Sequence, residues 1–155
     1  VRLCGVFRDH SLEEVTRISE ACDLDLLQLH GNESPAYCAD LADRTGLPLI
    51  KALTVEQLSP GVAESYAEVA YLMVDLPKDG VSGPGSAEKN IILNKVKELR
   101  MAGREVFLAG GLSPENVRAA LAAEPFAVDV CSGVEIEPGR KDLARVTAFL
   151  LEVGR

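Results

Sequence analysis

Positive charge is scarce in this chain: sixteen Lys and Arg stand against 24 Asp and Glu over 155 residues, a formal net charge of −8. Such a surplus repels a phosphate backbone or an anionic bilayer, so neither nucleic acid nor a membrane surface is an expected partner. Long apolar runs are missing too. The stretch Val69 to Val74 falls far short of the roughly 20 residues that a spanning helix needs. The four cysteines, Cys4, Cys22, Cys38 and Cys131, form no CxxC pair and too sparse a set for a disulfide scaffold, which fits a reducing, cytoplasmic compartment. The N-terminus, Val1-Arg2-Leu3-Cys4-Gly5, has no signal-peptide pattern and no initiator methionine. With only His10 and His30 present, a histidine metal site is not expected. There is no Walker loop, no G-x-G-x-x-G after the first strand and no G-x-S-x-G elbow, which leaves nucleotide hydrolysis, dinucleotide redox chemistry and serine hydrolysis unsupported.

What is present is 47% apolar and 26% charged residues, enough for one globular domain with a real core. Short β-branched or leucine-rich runs alternate with amphipathic stretches, and the joins carry turn or capping residues. Strands are expected at 2–7, 25–29, 48–53, 71–75, 105–109 and 126–130. Ser11 with Glu14 predicts a capping box for a helix ending near Cys22, and Ser34 followed by Pro35 opens a helix to about Arg44. Thr54 with Gln57 predicts a second box, ahead of a helical stretch interrupted by Pro60-Gly61 and ending near Val69. Further helices are expected from about Glu88 to Met101, from Ser113-Pro114 through Ala123, and from about Asp142 to Val153. Six βα units without hairpin signals imply a parallel sheet. Both a doubly wound sheet and a (β/α)8 barrel fit that pattern, although a barrel typically takes about 250 residues.

Either architecture places ligands at the carboxyl ends of its strands. Gly110-Gly111 ends the fifth strand ahead of a capped helix, where bare amides can approach an anion. Ser132-Gly133 ends the sixth and supplies a hydroxyl and another glycine amide, so the two loops together read as a site for a phosphorylated small molecule. Asp75 closes the fourth strand beside the glycine-rich stretch Gly80 to Gly85, a position from which a carboxyl can donate or accept a proton. Asp129 is flanked by Val128 and Val130 and is expected to sit deeper, as a structural group. Gln28 and His30 share one face of the second strand and are assigned to binding or loop support. Lys51 would be competent for a Schiff base if buried, whereas Lys141 reads as a solvated lysine.

Four stretches in fixed order carry a family resemblance: 5–7 with 11–14; Leu27-Gln28-Leu29-His30-Gly31-Asn32-Glu33; 108–117; and Val128-Asp129-Val130-Cys131-Ser132-Gly133-Val134-Glu135 with 138–142. Through them the chain resembles the phosphoribosylanthranilate isomerases of tryptophan biosynthesis over nearly its whole length. The resemblance implies a (β/α)8 TIM barrel of the ribulose-phosphate-binding type, here a single partial barrel over residues 1–155 with about six βα units. It implies an aldose–ketose isomerisation, the Amadori rearrangement of N-(5-phosphoribosyl)anthranilate, without cofactor or metal. A general acid opens the ribose ring and a base removes the C2 proton; the acid falls by motif on Asp75, and the phosphate loops fall on Gly110-Gly111 and Ser132-Gly133.

The alignment begins at the family's third strand, so the first two units are expected to be missing, together with the cysteine base of a Lys-x-Cys-Gly motif. Cys4 is the candidate to replace it. After Asp75 the family's Gly-Gly-Thr-Gly-x-x-Phe-Asp-Trp becomes Val81-Ser82-Gly83-Pro84-Gly85-Ser86-Ala87-Glu88-Lys89 here, and Cys131 stands where a serine is usual. Two alternatives remain: an isomerase of the same barrel type that uses Asp75 and Asp129 as acid and base, or a non-catalytic partial barrel that binds phosphate esters. A partial barrel leaves sheet edges uncovered, which predicts homo-oligomers.

Overall fold

The structure, a computed structural model, describes residues 1–54, 57–58, 60–75 and 87–154. The glycine-rich stretch 80–85 lies outside the described residues. Backbone contacts divide the chain into two compact units, Val1–Met73 and Val74–Arg155.

The first unit contains β1 (Cys4–Phe7), α1 (Leu12–Ala21), β2 (Leu26–Leu29), α2 (Pro35–Thr45), β3 (Leu49–Leu53), α3 (Pro60–Ser65) and the start of β4 (Tyr71–Asp75). Strands β1, β2 and β3 lie side by side and parallel, with Cys4 opposite Leu26 and Leu27 opposite Leu49. Period-two alternation buries Leu27 and Leu29 completely and leaves Gln28 half-exposed, whereas every residue of β3 is buried. The Ser11–Glu14 capping box forms in full, and Ser34 accepts the Tyr37 N–H at 3.2 Å. Gly46, at φ +64°, stops α2 and returns its N–H to the Ala42 carbonyl.

The third helix departs from expectation. It begins at Pro60 and ends at Ser65, so Pro60-Gly61 opens the helix instead of interrupting it. Proline lacks the N–H that has no partner in a first helical turn anyway. The Gln57 arm of the predicted box forms, its side chain accepting the Thr54 N–H at 2.9 Å.

The second unit continues from β4 through α4 (Ala87–Met101), β5 (Glu105–Ala109), α5 (Val117–Ala120), β6 (Ala127–Val128), β7 (Glu135–Glu137), β8 (Arg140–Lys141) and α6 (Leu143–Val153). Strand β6 runs parallel to β5 and is shorter than predicted, although Phe126 N–H and Asp129 N–H extend the ladder to the Val106 and Leu108 carbonyls. A hairpin was not expected here, yet β7 and β8 pair antiparallel around Pro138-Gly139, where Gly139 adopts φ +81°. The helix predicted from Ser113 starts only at Val117. Its intended first turn is taken up by Asn116, whose side chain accepts the Ser113 N–H and donates to the Gly111 carbonyl, each at 2.9 Å.

Candidate active site

At the carboxyl ends of β1 to β3 the sequence builds a braced corner around one buried ion pair. Lys51 projects from the fully buried β3 and is 1% exposed, and its ammonium meets the Glu33 carboxylate at 2.9 Å. The same ammonium donates to the carbonyls of Gly31 at 2.8 Å, Ala52 at 3.1 Å and Leu29 at 3.3 Å. Glu33 also accepts the N–H groups of Asp9 and Gly31, both at 2.9 Å. Burial alone would raise the Glu33 carboxyl above its ordinary range, but the Asp9 N–H and the Lys51 ammonium outweigh that and hold it below. Lys51 is therefore buried as expected for a Schiff-base lysine yet committed as a charged structural group, which corrects that reading.

The loops after β1 and β2 are stitched together on this base. Asp9, at φ +56°, accepts the Asn32 N–H on its carboxylate, and a Cβ at Gly31 would overlap that carboxylate. Only glycine permits so close an approach. Tyr37 donates its hydroxyl to the His10 carbonyl at 2.9 Å, and Tyr66 donates to the Glu33 carbonyl at 2.9 Å. Gln28 and His30 share a strand face as predicted, with Gln28 Nε2 2.9 Å from His30 Nδ1. Arg8 leans across from the β1 end and donates its Nε to the His30 carbonyl at 3.1 Å. Cys4 is exposed and opens β1, three residues before Phe7, so it lies at the other end of that strand from this corner.

In the second unit, β5 delivers Gly110 at φ +91° and Gly111 at φ +59°, two conformations that glycine adopts without strain. A Cβ at Gly111 would meet nothing within 4 Å, so there is open space on that side of the residue. A Cβ at Gly133 would overlap the Leu112 carbonyl oxygen. The Ser132-Gly133 backbone thus lies directly against the loop that follows Gly111, and the two candidate phosphate loops come together. The helix behind the diglycine, α5, has only four residues. Any anion held here depends on loop amides and the Ser132 hydroxyl, not on the capped helix dipole that the sequence implied.

Asp75 ends β4, half-buried behind the fully buried Leu72, Met73 and Val74. Asp129 is exposed, because β6 ends at Val128 before it can be carried inward; this corrects its expected depth. Lys141 is not simply solvated either, since it donates to Glu135 at 2.8 Å and to the Cys131 carbonyl at 2.9 Å. The sequence analysis assigns no role to Arg8, Asp9 or Glu33. A glutamate two residues beyond a strand-end glycine, with a lysine at the end of the adjacent strand, was the signal available.

Parallel βα units in chain order, with glycine loops brought together beyond two successive strands, define a protein of the (β/α)8 TIM-barrel class. The model of the N-(5'phosphoribosyl)anthranilate (PRA) isomerase family matches residues 1–152, and the chain belongs to that family. It is 43% identical to the N-(5'-phosphoribosyl)anthranilate isomerase of Moorella thermoacetica over 94% of its own length and 63% of that relative's. It superposes with a TM-score of 0.80 on the phosphoribosyl anthranilate isomerase of Thermus thermophilus, at 36% identity, covering 99% of this chain and 72% of that one. A further isomerase structure, at 32% identity and TM-score 0.77, holds reduced 1-(o-carboxyphenylamino)-1-deoxyribulose 5-phosphate and is covered over 72% of its length, against 99% of this chain. The chain thus spans just under two thirds of the Moorella relative and somewhat more of the solved chains. Among the described residues, no helix is long and apolar enough to cross a membrane.

Proposed function

We propose that this chain carries the phosphate-gripping and acid-donating part of a phosphoribosylanthranilate isomerase and acts on a phosphorylated aminoaldose. The observation that carries the reading is the packing of Gly133 on the Leu112 carbonyl, which sets Ser132-Gly133 against the loop that continues from Gly110-Gly111. The Gly110 and Gly111 amides and the Ser132 hydroxyl hold the phosphate, and Gln28 and His30 line the mouth of the first unit. Asp75 donates its proton to the ribose ring oxygen, the C1–O bond breaks, and an iminium forms between C1 and the anthranilate nitrogen. A base removes the C2 proton to give an enolamine; a proton then adds to C1 as the C2 hydroxyl proton leaves, yielding the ketose. Cys4, the candidate base of the sequence, opens β1 at its amino end, whereas Asp75 and the phosphate loops stand at the carboxyl ends of their strands, so removal of the C2 proton is not assigned to its thiol.

The test is turnover of freshly generated phosphoribosylanthranilate by the full chain, followed through loss of substrate fluorescence, beside Asp75→Asn and Cys4→Ser. Turnover lost in Asp75→Asn and kept in Cys4→Ser supports the reading. Turnover kept in Asp75→Asn overturns the acid, and turnover lost in a folded Cys4→Ser would return the base to Cys4. A second reading, a phosphate-ester-binding partial barrel that assembles with further copies, is favoured by the exposed apolar side chains of Leu3 and Val6 on and before β1. It predicts phosphate-ester binding without turnover.

A further inference from the structure

Among the described residues of the braced corner, Arg8 is a cation whose charge is not consumed by it. Lys51 is fully engaged in burial, whereas Arg8 is exposed and uses only Nε, on the His30 carbonyl. Its two terminal Nη nitrogens have no protein partner among the described residues. Anchoring through Nε restricts the guanidinium and leaves its two terminal nitrogens, whose parallel N–H donors match the geometry that a carboxylate accepts with both oxygens.

The loop that carries Arg8 is held unusually well for an exposed strand end. Asp9 is tied at its N–H by Glu33 and at its carboxylate by Asn32, and His10 is tied at its carbonyl by Tyr37. His10 also stacks edge-on to the buried Phe7, ring centroids 5.8 Å apart. The acceptor of Arg8, the His30 carbonyl, precedes Gly31, which Lys51 and Glu33 clamp from below. Both ends of the Arg8 contact are therefore preorganised, so little ordering cost remains when an anion arrives. On a chain of net charge −8, a fixed cation of this kind is a local exception to the surrounding field. The nearby carboxylates of Asp9 and Glu33 are already engaged with backbone N–H groups and do not occupy it.

We propose that Arg8 is a specificity-determining residue that recognises an aryl carboxylate, clamping both carboxylate oxygens with its terminal nitrogens. The proposal rests on the functional reading above, in which the substrate bears an anthranilate group; it adds which residue of this chain reads that group. It predicts discrimination between a carboxylate and its uncharged amide, since the amide offers a single oxygen and no charge.

The experiment uses the full chain and two probes, anthranilate and anthranilamide, observed at the Arg8 Nε–H resonance, which is assigned by its absence in Arg8→Met. Anthranilate should shift that resonance saturably, and anthranilamide at equal concentration should not. Measured by calorimetric titration, which needs no Arg8 resonance, Arg8→Met should weaken anthranilate binding about tenfold or more, and Arg8→Lys, which keeps charge but loses the fork, should fall between. No response to anthranilate, an equal response to the amide, or binding by Arg8→Met within twofold of the parent would overturn the proposal. Inorganic phosphate binding, read separately at the Gly110 and Gly111 amides, should be unchanged in Arg8→Met. Loss of that phosphate response in the parent chain, with the carboxylate response intact, would count against the isomerase reading and leave Arg8 standing.

Discussion

Lys51 and Glu33 are two opposite charges removed from water, an arrangement that favours folding only when the remaining donors and acceptors are matched. Here they are: the Glu33 carboxylate and three surrounding carbonyls share the three ammonium N–H groups, and two backbone N–H groups complete the carboxylate. Removing one partner leaves the other stranded, so Lys51→Met should lower unfolding free energy by about 3–5 kcal/mol in denaturant titration. The pH dependence follows from the same bonds. Because the folded state holds the Glu33 carboxyl below its unfolded value, its contribution is complete above the ordinary carboxylate pKa of about 4.3 and drains away as pH falls through the lower folded value. Stability measured from pH 6 down to pH 3 should therefore fall more steeply in the parent than in Glu33→Gln, which starts lower and has no such carboxyl to protonate. Equal slopes would mean that the pair is not coupled to folding. The thiols offer an independent check, since burial pushes Cys38 up to about 11 while Cys4, Cys22 and Cys131 are exposed. Alkylation near pH 8 should label those three and spare Cys38 until the chain unfolds.

At the level of elements, much was legible because local chemistry and tertiary demand agree. Ser11 with Glu14, Ser34 with Pro35, and the buried runs of β4 and β5 announce their structures through caps and periodicity alone. The misreadings fall where a side chain competes with the backbone for hydrogen bonds. Asn116 bonds Ser113 and Gly111, so the turn it makes replaces the first turn of a helix that propensity favoured, and no periodicity signals that. The contact between Gly133 and the Leu112 carbonyl was equally invisible, since a glycine in sequence does not say what it lies against. It is testable, however. Gly133→Ala must displace the Leu112 backbone, so phosphate binding should weaken by about tenfold or more while cooperative unfolding survives. Gly111→Ala has room for its methyl group but a strained φ of +59°, which should cost about 1 kcal/mol of stability. If Gly133→Ala bound phosphate like the parent, the two loops would not be acting as one site.

For the molecule as a whole, the sequence conveyed the order of the βα units and could not convey which faces they leave open. Among the described residues β1 stands at the end of its strand order, pairing with β2, and Leu3 and Val6 beside it are 54% and 62% exposed. In the second unit, α6 presents Leu143, Leu150 and Leu151 at 79%, 63% and 57% exposure, spaced seven and eight residues apart and so on a single helical face. Isolated exposed leucines need no explanation, but three on one face of an eleven-residue helix concentrate apolar surface there. A net charge of −8 opposes indiscriminate aggregation, which leaves specific pairing of such surfaces as the favoured way to cover them. Sedimentation of the purified chain should accordingly show concentration-dependent association that strengthens with salt, as like-charge repulsion is screened. Leu143→Lys with Leu150→Lys, both solvent-facing, should shift the equilibrium toward monomer without lowering thermal stability of the fold. A sharp monomer boundary across the whole concentration range would mean that neither the β1 edge nor the α6 stripe is used by a second copy.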